Sequence, residues 1–216
     1  MPTPKAGYYL ADGSRVPGTT TIIGRFKESG ALLKWAWGEG KAGRELYEVR
    51  DKAAEAGTLA HAMVEASIKG EKLETPIADP AVLQKAIAAF GAYESWAKGN
   101  RLRVVEQEMM LVSEKHRYGG TPDAIGELDG VLCLLDWKTS AAVYSDHLLQ
   151  LAAYKILWEE NHPERPLSGG FHLCRFAKEH GDFAHHFFPN LDEAAEMFLH
   201  LRAAYEIDKG LKKRAA

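Results

Sequence analysis

Cysteine is nearly absent from this chain of 216 residues: Cys133 and Cys174 are the only two, and both lie in apolar runs. Two thiols cannot supply the four ligands of an ordinary iron–sulfur cluster or an all-cysteine zinc site, so neither is expected. They make no disulfide framework either, and a reducing, cytoplasmic setting is the expectation. Long apolar runs are also missing. No segment approaches the roughly 20 apolar residues that cross a bilayer, and the opening "MPTPKAGYYLADGS" lacks the apolar core of a secretory leader, so no membrane association is expected. Nor is positive charge in excess: 27 basic and 30 acidic side chains give a net charge of −3. That excludes a broadly basic coat, so any nucleic acid must be held by a local patch or through a metal. Internal repeats, low-complexity blocks and interdomain linkers are absent as well.

What is present is a globular composition, 46% hydrophobic with 26% charged. The length suits one domain over residues 1–216, with an N-terminal hairpin and helical extension at 1–52, a core at 53–189, and a C-terminal helix and basic tail at 190–216. Local positive charge gathers in "GRFKESGALLKWAWGEGKAGR" and in the tail "DKGLKKRAA", both expected to be solvated, with Trp35 and Trp37 expected in the core and stacking on a single strand as the alternative.

Turn and cap signals divide the chain into elements. "YYLADGSRVPGTTTII" predicts a hairpin around its Asp-Gly turn, and a helical pattern broken by glycines follows over residues 31–55. Residues 53–69 predict a helix closed by Gly70, and Asp79 and Pro80 are N-cap and first residue of the next helix. Three strands follow as an antiparallel meander: "RLRVVEQEMMLVS", "YGGTPDAIGEL" and "GVLCLLDWKTS". A helix over 146–161, the strands "SGGFHLCRF" and "DFAHHFF", and a final helix complete the order. The fold class is α/β or α+β, a central mixed sheet of about five strands flanked by helices.

The chemistry gathers at "LLDWKTS". A buried strand normally forbids charge, yet this one carries Asp136 and Lys138, which alternation places on one face with Trp137 on the other. The triplet alone says little, because the chain's composition predicts roughly two D/E-x-K triplets by chance and it has a second at Glu39 to Lys41. Only Asp136 is preceded by another carboxylate, Asp123, across the turn at Asp129-Gly130. Two carboxylates on neighbouring strands repel, and a divalent cation removes the conflict. Oxygen ligands suit Mg²⁺ or Mn²⁺, and an adjacent lysine suits the activation of water for phosphodiester hydrolysis. The alternative is a structural Asp–Lys pair.

The combination "GGTPD", "DWKTS" and "QLAAY" resembles the PD-(D/E)XK nuclease superfamily, especially the branch with the RecB nuclease domain and the mitochondrial genome maintenance exonuclease. The likeness covers about residues 57–154, touches "VPGTTTIIG", where Gly18 replaces a common serine, and fades beyond Arg175. It implies a restriction-endonuclease-like core and one or two Mg²⁺ or Mn²⁺ ions held by Asp123, Asp136, His61 of "GTLAH" and the Trp137 carbonyl. It also implies catalytic roles for Lys138, Asp136, Asp123 and Glu108, the last preferred over Glu106, with Glu65 orienting the His61 ring. Gln150 and Tyr154, four apart on one helix face, would brace the strand or touch DNA. Thr139, Ser140, Arg117 and Tyr118 are further candidates for binding substrate. The implied activity is exonuclease action on single-stranded or end-containing DNA in replication, recombination or repair, in a bacterial or phage protein. A structure-specific endonuclease or resolvase, or an inactive DNA-binding accessory protein, are the alternatives.

Overall fold

The structure, a computed structural model, describes residues 7–27, 30–71, 79–176 and 182–215, without the side chains of residues 31, 32 and 46–55. The start of the segment read for a leader (1–6) and the last residue of the tail (216) lie outside this set.

The hairpin is shorter than the sequence predicts. It joins β1 (Tyr8–Tyr9) to β2 (Arg15–Val16), and "TTTII" opens a helix, α1 (Thr19–Phe26). Packing overrides the β-propensity of this β-branched run: Ile22 and Ile23 are buried in the core, and the Thr19 hydroxyl donates to the Gly119 carbonyl at 3.0 Å. Helix α2 (Gly30–Lys41) ends before Gly43, whose φ of +69° favours glycine, and α3 (Leu46–Lys69) ends at Gly70 with φ +68°. Helix α4 (Pro80–Gly99) begins as its caps predict, with the Asp79 carboxylate accepting from the Ala81 N–H at 2.8 Å.

Two of the three predicted strands are each split. The first becomes β3 (Arg103–Gln107) and β4 (Leu111–Ser113), the second β5 (Tyr118–Gly120) and β6 (Ala124–Leu128), and β7 (Val131–Thr139) is continuous. The breaks face each other. Glu108 adopts a left-handed φ of +50° and donates its N–H to the Asp123 carbonyl at 3.1 Å, while Pro122 has no N–H to give a ladder. Strands β4 and β5 therefore pair in a small sheet of their own.

Helix α5 (Ser145–Asn161) crosses to β8 (Phe171–Phe176), then come β9 (Phe183–Phe188) and α6 (Asp192–Ala215). The main sheet has the order β3-β6-β7-β8-β9, with β7 and β8 parallel and the other pairs antiparallel, a mixed five-stranded sheet between helices. One core packs α1, α5 and α6 on one face through Ile22, Leu134, Trp158 and Phe198. The other packs α3 and α4 on the opposite face through Ala60, Tyr93, Leu135 and Phe176. Strand β7 is covered on both faces, which accounts for its apolar run "VLCLL". Cys133 and Cys174 are free and buried.

Candidate active site

The site forms where β7 leaves the sheet. Leu134 faces the α5 core and Leu135 the α3–α4 core, so alternation directs Asp136 and Lys138 toward α5 and Trp137 toward α3. The β6–β7 register pairs Ala124 with Leu135, and one step further it sets Asp123 opposite Asp136. Asp123 is 3% exposed and Asp136 fully buried. The Trp137 N–H donates to Asp123 Oδ2 at 2.8 Å. Lys138 Nζ stands 2.6 Å from Asp136 Oδ2, off the axis of a hydrogen bond, so both Asp136 oxygens lack a directed partner.

These burials set the charges. Loss of water pushes the Asp136 carboxyl up to about 6, against the attraction of Lys138 and with the repulsion of Asp123. Asp123 is also raised by burial, opposed by Lys138 and the Trp137 N–H. Burial alone would lower Lys138, but Asp136 and Asp123 together outweigh it and hold its ammonium above the usual lysine range.

A cleft of about 820 Å³ opens here, lined among others by His61, Glu65, Glu108, Asp123, Lys138 and Thr139. His61 lies on the α3 side with its ring stacked on Trp137, centroids 6.4 Å apart, and its Nε2 3.2 Å from Glu65 Oε1. That nitrogen makes no hydrogen bond, and burial holds the ring below the ordinary histidine pKa against the pull of Glu65 and Asp136, which favours the neutral form that ligates metals. Glu108 reaches the cleft because the left-handed turn ends β3, and it pairs with Lys69 at 2.8 Å. Glu106 stays in the ladder opposite Ile125 and is not among the cleft-lining residues.

Gln150 and Tyr154 are brought together, the Gln150 amide donating to the Tyr154 hydroxyl at 2.7 Å, but both are buried. Tyr154 packs where a Cβ on Gly120 would lie 2.7 Å from its ring, a buried position against β5. Close packing accounts for two more glycines. A Cβ on Gly119 would meet the Tyr8 ring at 2.3 Å, and one on Gly57 would meet Thr139 Cγ2 at 2.1 Å, so the small residue at 57 lets α3 approach the end of β7.

Three residues expected at the substrate are not among those lining the cleft. Tyr118 is wholly buried against Phe198 and donates its hydroxyl to the Ala153 carbonyl at 2.8 Å. Arg117, in the turn between β4 and β5, reaches the Ser14 hydroxyl at 3.0 Å. The Ser140 hydroxyl is used by the Ala142 carbonyl at 2.8 Å. Two further side chains stand near the site: Thr121, on the cleft wall and bonded to the Tyr8 hydroxyl at 3.1 Å, and His147, which feels the charges of Lys138 and Asp136. His147 lies one turn before Gln150 on the same face of α5, a spacing that could have revealed it, and its Nδ1 accepts the Tyr144 N–H at 3.3 Å.

Among the described residues, no three His, Cys, Asp or Glu side chains form a ready-made metal cluster. The donor chemistry nevertheless fits a divalent ion: both carboxylate oxygens of Asp136 and the Nε2 of His61 are buried without a hydrogen bond, and their ion-pair contacts with Lys138 and Glu65 leave lone pairs for a cation.

No curated protein sequence matches the chain. Solved structures resemble it distantly. A Eubacterium rectale protein assigned as an exonuclease aligns at 15% identity with a TM-score of 0.48, covering 69% of this chain and 68% of that one. LHK-Exo, solved in complex with dAMP, aligns at 12% identity with a TM-score of 0.35, covering 77% and 97%. The family model of the PD-(D/E)XK nuclease superfamily matches residues 32–211. That span holds the α3 histidine, both acidic strand ends and the bracing helix, and continues through β8, β9 and most of α6, well beyond Arg175. The chain belongs to the PD-(D/E)XK nuclease superfamily.

Proposed function

We propose that this protein is a Mg²⁺- or Mn²⁺-dependent exonuclease acting on single-stranded or end-containing DNA, folded as one domain. The observation that carries the reading is the juxtaposition of Asp123 and Asp136, both buried and opposed across β6 and β7, with the Lys138 ammonium 2.6 Å from Asp136. Asp123, Asp136, His61 and the Trp137 carbonyl would hold the cation, which when bound supplies Lewis-acid polarisation of the phosphate and of water.

The residues of the chain do the rest. Lys138 orients the attacking water and offsets charge as it builds on the phosphate. The water oxygen bonds to phosphorus and its proton is lost to solvent, the P–O3′ bond breaks, and O3′ takes up a proton, leaving a 5′-phosphate. Glu108 faces the cleft and can accept a hydrogen bond from that water once its contact with Lys69 loosens. Thr139 lines the cleft at the end of β7 and offers its hydroxyl to a neighbouring phosphate. Gln150 and Tyr154 hold the strand end rigid beneath them.

The test uses linear single strands labelled at either end and closed single-stranded circles, with Mg²⁺, Mn²⁺ or a chelator. The reading requires metal-dependent release of nucleotides from linear DNA, intact circles, and no release by Asp136→Ala or Lys138→Ala. Cleavage of circles would refute the exonuclease assignment, and equal degradation by the variants would refute the site.

A further inference from the structure

We propose that helix α2 carries a base-stacking site for single-stranded DNA, built on Trp37 and flanked by Lys34 and Lys41. The proposal rests on the nuclease reading for its biological sense, though the site can be tested without turnover.

The sequence led us to expect Trp35 and Trp37 in the core, and the structure places both outside it. Trp37 is 66% exposed, Trp35 38% and Leu33 64%. At 100° per residue, Leu33, Lys34, Trp37 and Lys41 fall in one stripe about 100° wide, and Trp35 points to the other side of the helix. An indole left in water on a helix of this kind forgoes the burial that normally pays for it, which marks a surface made to be covered.

Charge identifies what covers it. Residues 25–44 hold five basic side chains (Arg25, Lys27, Lys34, Lys41, Arg44) against two acidic ones (Glu28, Glu39), in a chain whose net charge is −3. Arg25 is bound to Asp208, Lys27 to Asp146 and Arg44 to Glu39. Lys34 and Lys41 have no acidic partner among the described residues. Lys41 Nζ lies over the Trp37 ring, 4.4 Å from its centroid, which steadies an indole that is still 66% exposed.

An exposed aromatic ring flanked by two ammonium groups that lack an acidic partner among the described residues matches a nucleobase with its flanking phosphates. Only an unpaired base has a free face to stack, since bases inside a duplex already stack on their neighbours. A second copy of the chain is disfavoured, because a two-fold contact through this stripe would bring Lys34 and Lys41 against their own counterparts. Helix α2 packs on α3, the helix that carries His61.

The experiment measures binding of the full chain to oligo-dT, to an abasic strand of equal length and to blunt duplex, with chelator present to prevent cleavage. Oligo-dT is expected to quench tryptophan fluorescence. Trp37→Ala should weaken that binding about tenfold and Trp37→Phe much less, with the abasic strand held equally by all three proteins. Equal oligo-dT affinity in wild type and Trp37→Ala would overturn the proposal. So would the same loss on the abasic strand, which would mean a charge or folding effect. A variant altered only in sedimentation, or only in binding to phosphatidylserine vesicles, would assign the stripe to a second copy or to a membrane instead. Loss of the nuclease reading would appear separately, as no nucleotide release with any metal.

Discussion

The Lys138 ammonium stands 2.6 Å from a carboxylate, Asp136, whose side chain has no solvent exposure, while Lys138 itself is 17% exposed. Two buried acids thus face one half-buried cation, and the arrangement is a stability problem whatever its chemistry. Lys138→Met should cost about 3–5 kcal/mol, because it leaves both carboxylates buried without a counter-charge. The double variant Asp136→Asn/Lys138→Met should regain more than half of that loss in urea denaturation and still release no nucleotides. A double variant no more stable than Lys138→Met would show that the pair is not the source of the cost.

Gly57 and Thr139 test how α3 is seated against the end of β7. Alanine would ordinarily favour a helix over glycine by about 1 kcal/mol. At Gly57 the added Cβ would lie 2.1 Å from Thr139 Cγ2, so Gly57→Ala should instead destabilise by about 1–3 kcal/mol. Adding Thr139→Ser removes the obstructing methyl group and should restore most of the thermal midpoint. If Gly57→Ala raises the midpoint by itself, the packing described for α3 is wrong.

Tyr118 and Arg117 separate folding from DNA binding. The Tyr118 hydroxyl is buried and donates to the Ala153 carbonyl, so Tyr118→Phe should lower stability by about 1 kcal/mol. Neither Tyr118→Phe nor Arg117→Ala should change affinity for oligo-dT in a fluorescence titration. A several-fold weakening by Tyr118→Phe would return that residue to the substrate.

The sheet edge contains a proton-sensitive pair. His172 Nε2 donates to the Gly169 carbonyl at 3.1 Å, so its Nδ1 is the acceptor and His185 Nε2 the donor across 2.9 Å. Burial first, then repulsion by His172, holds His185 down to about 4, below the usual 6.5. Because the unfolded chain binds the proton more readily, this pair stabilises the fold above about pH 6.5 and loses that contribution as pH falls toward 4. Asp136 and Asp123, with raised values, pull the other way over part of this range. The comparison is therefore between proteins: the urea midpoint of His185→Phe should fall less than that of wild type between pH 7 and 4.5. Parallel curves would exclude the pair as a source of acid sensitivity.

Much of the site was legible because local rules govern it. Alternation along "LLDWKTS" puts Asp136 beside Lys138, and the Asp129-Gly130 turn folds Asp123 back toward them; with the register observed between β6 and β7, both follow from backbone geometry. Asp79 and Gly70 mark helix ends by side-chain chemistry and by φ. The misread positions are those where distant contacts prevail. "TTTII" has strand propensity yet forms α1, because Ile22 and Ile23 find their partners on α5 and α6. Tyr118 looks like a surface aromatic beside a turn until Phe198, eighty residues later, closes over it.

From the sequence alone came the helices after residue 53, the continuous apolar strand, the two acids and the lysine at its end, and the histidine helix, since each depends on spacing along one or two neighbouring strands or turns. Only the tertiary structure decided that Glu108 rather than Glu106 reaches the cleft, that Gln150 and Tyr154 are buried and bonded to each other, and that Trp37 stands in water. Those outcomes depend on which surfaces meet. A backbone break at Glu108, a glycine under Tyr154 and an uncovered α2 are properties of packing between remote segments, which no local pattern records.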